Sequence, residues 1–101
     1  MRDENNILLE HYQNRRFDIA EELAASIIKR SPTNQFSWKV LGSILKQTGR
    51  LEESLVPFQK SIELMPQDPG AHNNLGNTFK DLDRLEEAEE SFRQALTLNA
   101  D

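Results

Sequence analysis

The sequence predicts an all-α protein, a short α-solenoid of three helix–turn–helix repeats with about six helices, and three observations point there. Leu41-Gly42 recurs as Leu75-Gly76, 34 residues further on. Laying 35–67 over 69–101 at that offset gives nine identical pairs, among them Lys46/Lys80, Arg50/Arg84, Leu51/Leu85, Phe58/Phe92 and Leu64/Leu98. A fixed period of this size marks stacked repeats rather than a fold built around one pocket. Within each copy, the apolar residues fall at helical spacing in two bouts parted by a turn signal. The same shift carries Pro66 onto Pro32, with Arg16, Gln13 and Ile28 also matching, so residues 1–34 are a more divergent first copy. The predicted repeats are 1–34, 35–68 and 69–101, together a single domain.

The first copy places Ile7, Leu8 and Tyr12 on one helix, then Asn14-Arg15-Arg16, then Phe17, Ala20, Leu23, Ala24, Ile27 and Ile28, closing at Ser31-Pro32. In the second, Trp38, Leu41 and Leu45 precede Gly49, and Leu51, Leu55, Phe58 and Ile62 follow it. Pro66 and Pro69 punctuate the exit, because proline lacks the N–H that a continuing helix needs. Pro57 lies inside the second helix of this copy, where it removes the bond to the Glu53 carbonyl and predicts a kink. The third copy runs Leu75, Phe79, Leu82, then Leu85, Ala88, Phe92, Ala95 and Leu96. Asp83 followed by Glu86 has the spacing of a capping box and predicts that the last helix starts at Asp83. One such hairpin cannot bury its apolar face alone; three stacked ones make a continuous core.

Composition excludes several classes. The chain has 101 residues, 37% hydrophobic, and no cysteine, so it has neither a disulfide framework nor a thiolate metal site. Its apolar runs are too short to cross a bilayer and its first six residues are too polar for a signal peptide, which predicts a cytoplasmic protein without a membrane partner. A net charge of −5 opposes a nucleic-acid role. His11 and His72 have no serine, cysteine or acid at a nucleophilic or metal-binding spacing. Glu86, Glu87, Glu89 and Glu90 read as a solvated helix face rather than a metal site. No catalytic residue, cofactor site or metal site is predicted, and the segment is not expected to be an enzyme.

The order Trp38-x-x-Leu41-Gly42, Leu45, Ser54, Phe58, Ser61, Pro66, repeated as His72-x-x-Leu75-Gly76, Phe79, Ala88, Phe92, Ala95, resembles the tetratricopeptide repeat over essentially the whole chain. The resemblance implies a right-handed solenoid in which Gly42 and Gly76 let the two helices of a repeat approach, with the small Ala20, Ser54 and Ala88 opposite. Leu8 takes the glycine's place in the first copy and predicts a slightly wider or shifted first hairpin. His72 fills the Trp38 slot and reads as a packing residue.

The resemblance also implies a protein-interaction scaffold that docks an extended peptide or a helix in a concave groove of first helices. The groove positions are Asn6, Lys39, Ser43, Lys46, Asn73, Asn74, Asn77 and Lys80, with Asn5 and Leu9 in the first copy. An asparagine side chain both donates and accepts, which suits a peptide backbone. Asn6 and Asn74, in a row that Val40 interrupts, resemble the asparagine ladder of bacterial arrays and of those linked to O-GlcNAc transferases. That resemblance implies a second reading, a substrate-recruiting or spacer segment of a larger enzyme such as a glycosyltransferase. Lys39, Lys46 and Lys80 resemble in part the carboxylate clamp of chaperone-binding members, although Asn5 and Asn73 stand where that clamp has basic residues. A third expectation is self-association through an uncovered last repeat, with Leu82, Leu85 and Leu96 at its edge and Ala100 in place of a closing proline. Such an edge implies either a homo-oligomer or a piece of a longer array.

Overall fold

The computed structural model describes residues 3–99. Ala100, the position lacking the closing proline, lies outside the described residues. Six helices follow one another: α1 (Glu4–Gln13), α2 (Phe17–Arg30), α3 (Gln35–Gln47), α4 (Leu51–Leu64), α5 (Pro69–Asp81) and α6 (Leu85–Leu98). The chain is therefore all-α, as the periodicity predicts. Each first helix opens on a residue whose side chain takes an orphan amide: Asp3 accepts from the Asn5 N–H, Asn34 from Ser37 and Asp68 from Gly70.

Each first helix also closes in the same way, and here the structure corrects the sequence reading. Arg15, Gly49 and Asp83, spaced by one repeat, all take positive φ, at 58°, 83° and 61°. The N–H groups of Arg15, Gly49 and Asp83 donate to the Tyr12, Lys46 and Lys80 carbonyls, and those of Arg16, Arg50 and Arg84 to His11, Leu45 and Phe79. This is the Schellman closure, in which a left-handed residue lets the chain cap its own last carbonyls. Asp83 thus ends α5. It is not the N-cap of α6; that position belongs to Arg84, whose side chain caps nothing. Helix α4 continues through Pro57 to Leu64, so the proline removes one hydrogen bond without ending the helix.

Two clusters form the core, and each spans a junction between hairpins. Leu8, Ala20, Ala24, Ile27, Val40 and Ile44 join α1, α2 and α3. Leu55, Phe58, Leu75, Phe79 and Ala88 join α4, α5 and α6, with Ile62, Leu82 and Phe92 packed against them. A Cβ on Gly42 would stand 2.6 Å from the Phe58 ring, and one on Gly76 would stand 2.7 Å from Phe92. The nearest groups to the two glycines are therefore aromatic rings of the second helices. One repeat back, Leu8 holds the glycine's place and Ala24 the ring's, both fully buried. Bulk has moved from the second helix to the first. Helix α1, three residues shorter than α3, packs less extensively on α2 than α3 does on α4.

Candidate functional site

The first helices touch one another, α1 with α3 and α3 with α5, whereas no such contact joins α2 with α4 or α4 with α6. The stack curves accordingly, with α1, α3 and α5 as the inner layer. Along that layer run four columns spaced by one repeat: Asn5, Lys39, Asn73; Leu9, Ser43, Asn77; Tyr12, Lys46, Lys80; and Asn6, Val40, Asn74.

Several members of these columns are already engaged, mostly across the junction to the next hairpin. The Asn34 amide donates to Asn5 Oδ1 at 3.0 Å, and Lys39 Nζ to Asp68 Oδ2 at 2.9 Å, so the first column reaches the N-cap of the following first helix. Burial pushes the Asp68 carboxyl up, but Lys39, Gln35 and the Gly70 N–H together bring it below its ordinary value. Lys46 Nζ lies 3.8 Å from Asp81 on α5. Ser43 donates to the Lys39 carbonyl within α3, and Val40 is buried in the core. Asn74 is half-buried and its carbonyl accepts from Thr78 Oγ1 at 3.0 Å. Asn6, Asn73, Asn77 and Lys80 are exposed, with no side-chain partner among the described residues. Asn73, Asn77 and Lys80 fall at i, i+4 and i+7, and so form one polar stripe along α5.

The histidines take structural roles. His72 Nε2 lies 3.0 Å from the Pro66 carbonyl, one repeat on from the 2.8 Å bond between Trp38 Nε1 and the Pro32 carbonyl. A carbonyl only accepts, so Nε2 carries the proton. His11 Nδ1 meets Arg16 Nη1 at 3.1 Å. Among the described residues, no three His, Cys, Asp or Glu side chains are placed to hold a metal ion. None of the described helices is long and apolar enough to cross a membrane.

The outer end of the stack carries a second feature. Lys80, Leu85, Ala88, Glu89, Phe92, Arg93 and Leu96 line an open, mainly apolar groove of about 400 Å³. Leu85 is 59% exposed and Leu96 71%. Leu82 does not share this face; it packs into the cluster with Leu55 and Phe58 and borders a shallow hollow with Gly49 and Leu51. The sequence reading missed a cross-repeat pair, Glu21 with Arg50, two-pronged and with one bond of 3.0 Å.

Known families agree with this architecture. A TPR-repeat model matches residues 42–83 and a tetratricopeptide-repeat model residues 69–101. The chain belongs to the tetratricopeptide-repeat family. The human protein O-mannosyl-transferase TMTC3 is 37% identical over 76 residues, covering 75% of this chain and 8% of that protein. The peroxisomal targeting signal receptor of Candida glabrata is 26% identical over 88 residues, 87% of this chain and 15% of its own length. The chain thus spans a small part of the length of these curated relatives. MamA from Desulfovibrio magneticus RS-1 superposes with a TM-score of 0.91 at 18% identity, covering 96% of this chain and 55% of that one. The second TPR of Spaghetti (RPAP3), solved with the HSP90 peptide SRMEEVD, gives 0.89 at 19% identity, with 94% and 88% covered. At these identities the structural likeness speaks for the fold.

Proposed function

We propose that this module is a non-catalytic scaffold that binds an extended peptide along the inner layer of first helices. The observation that carries the reading is the stripe Asn73, Asn77, Lys80, where two amides and an ammonium stand exposed and without partners among the described residues. Amides at this spacing pair with successive peptide groups whatever the side chains, and the ammonium favours a peptide with a carboxylate at that end. Lys39 and Lys46 are held by Asp68 and Asp81, so the stripe on α5, rather than a full three-lysine clamp, sets the charge preference. A peptide array screened with the purified chain tests this. Binders enriched in acidic residues are expected, with affinity falling roughly tenfold in Asn77→Ala. Binding unchanged in both Asn74→Ala and Asn77→Ala would mean that another face is used.

The likeness to the mannosyl-transferases favours a second reading, in which the repeats recruit or space substrates for a larger glycosyltransferase. The size of the endogenous protein discriminates between the two. An immunoblot band near 11.6 kDa would remove the second reading, and a much larger species would favour it.

A further inference from the structure

The inner layer changes character from α1 to α5. Its second column runs Leu9, Ser43, Asn77 and its third Tyr12, Lys46, Lys80, so both go from apolar on α1 to polar or basic on α5. Leu9 is half-buried, yet among the described residues it is not one of those packed into the core beside Leu8. Leu9 and Tyr12 stand at i and i+3, which makes their side chains neighbours on one helix face. Tyr12 is braced by the Phe17 ring, with centroids 5.8 Å apart. The openness of this column does not depend on a chain end, because Ser43, on a helix flanked by both α1 and α5, keeps part of its surface open as well. Charge follows the same gradient. Lys39 and Lys46 act as latches to Asp68 and Asp81 of the next repeat, at 2.9 and 3.8 Å, whereas the Lys80 ammonium is exposed with no carboxylate partner among the described residues.

We propose that the peptide recognised on this layer carries two anchors about six residues apart, a large apolar side chain seated on Leu9 and Tyr12 and a carboxylate at Lys80. The spacing follows from the stack. Packed helices lie about 10 Å apart, so the two steps from α1 to α5 make about 20 Å, which an extended chain covers in about six residues at about 3.3 Å each. An even separation also puts both anchors on the same face of the extended chain. Between them, the short Ser43 side chain leaves room for a backbone, and the Asn77 amide can pair with a peptide group beside the Lys80 anchor. Apolar contact is non-directional and a lone ammonium is a point charge of little specificity, so the distance between the two anchors is what selects a sequence. The carboxylate belongs to an Asp or Glu side chain or to a peptide C-terminus, which present the same group to Lys80. The inference rests on peptide binding along the inner layer and adds the sequence pattern that such binding selects.

The probes are end-capped synthetic peptides of serine and alanine that carry one phenylalanine and one glutamate, roughly two, six or ten residues apart and in either order. They are titrated into the isotope-labelled chain and followed by its amide NMR shifts. Binding is expected to be tightest at the middle separation, with shifts around both Leu9 and Asn77. Leu9→Ser, which copies the residue at Ser43, is expected to weaken that peptide about tenfold and to leave its phenylalanine-to-alanine version unaffected. Lys80→Gln is expected to weaken it a few-fold, more so at low salt. A peptide whose free C-terminus replaces the glutamate distinguishes the two sources of carboxylate: equal or tighter binding assigns a chain terminus, and loss assigns a side chain. Binding that Asn77→Ala weakens but that ignores the separation, or ignores Leu9→Ser in a folded variant, overturns the two-anchor pattern and leaves the peptide groove standing. The separation series on the unaltered chain decides the matter should Leu9→Ser fail to fold. Absence of binding by all of these peptides overturns the pattern too, and the array of unrelated sequences then decides separately whether the inner layer binds peptide.

Discussion

The exchange of bulk between Gly42/Phe58 and Leu8/Ala24 predicts a double-mutant cycle with a definite sign. A Cβ on Gly42 would lie 2.6, 2.7 and 2.9 Å from three atoms of the Phe58 ring, which is itself 1% exposed. Relaxed carbon contacts are about 3.5–4.0 Å, so the ring must retreat by about 1 Å into a packed core. Such overpacking costs about 1–3 kcal/mol, and alanine's better helix propensity returns about 1. Gly42→Ala is therefore expected to destabilise by up to about 2 kcal/mol and Gly42→Leu by more. Phe58→Ala alone empties the site and costs about 3–5 kcal/mol. In Gly42→Leu/Phe58→Ala the leucine fills the vacated volume, as Leu8 does beside Ala24, and the loss should fall short of the sum by up to about 3 kcal/mol. Equilibrium urea unfolding followed by circular dichroism measures all four corners. Losses that add to within about 0.5 kcal/mol would show that the two positions do not share the space, and would refute the reasoning.

Other expectations follow from the same correspondences. Ser37 is buried, its hydroxyl without a partner among the described residues, and its counterpart one repeat on is Ala71; Ser37→Ala should raise stability by about 1 kcal/mol, seen as a higher melting temperature. Asp83 at φ 61° bears the left-handed strain that Gly49 avoids, so Asp83→Gly should be neutral or stabilising by up to about 1 kcal/mol in urea unfolding, whereas loss of a true N-cap would cost about as much. Hydrogen bonding to Arg50 holds the Glu21 carboxyl below its ordinary value. That contribution is fully present above the unfolded-state pKa, near 4.3, and is lost as pH falls through the lower folded one. Both groups are about a third exposed, so the effect should be under about 1 kcal/mol; it is checked by comparing acid unfolding with that of Glu21→Gln.

The period was legible because packing positions repeat. Leu41, Gly42 and Phe58 recur as Leu75, Gly76 and Phe92, and a single offset exposes them. What each position touches was less legible. Glycine in a helix announces close approach, but the approaching group lies on the other helix, and nothing in the sequence says that the Phe58 ring comes nearest. Asp83 misled for a local reason: aspartate suits both an N-cap and a left-handed turn, and the Glu86 spacing argued for the cap. Setting Asp83 beside Gly49 and Arg15 at the repeat offset carries the correct answer, since Gly49 is the residue best suited to positive φ.

The polar residues were the hardest to read, because their partners lie in the next repeat. Asn5 with Asn34, Lys39 with Asp68 and Glu21 with Arg50 are each separated by 29 residues, and a reading confined to one copy at a time leaves every one of them unpaired. Lys39 and Lys46, expected as groove cations, stand beside Asp68 and Asp81 of the next repeat. The same comparison changes the meaning of Asn73, Lys80 and Glu89. They repeat the latches' positions without cross-repeat partners among the described residues, while Asn77, whose counterparts are Ser43 and Leu9, belongs to no latch. In the proposed peptide groove, Asn77 is the stripe residue whose substitution leaves every latch position intact.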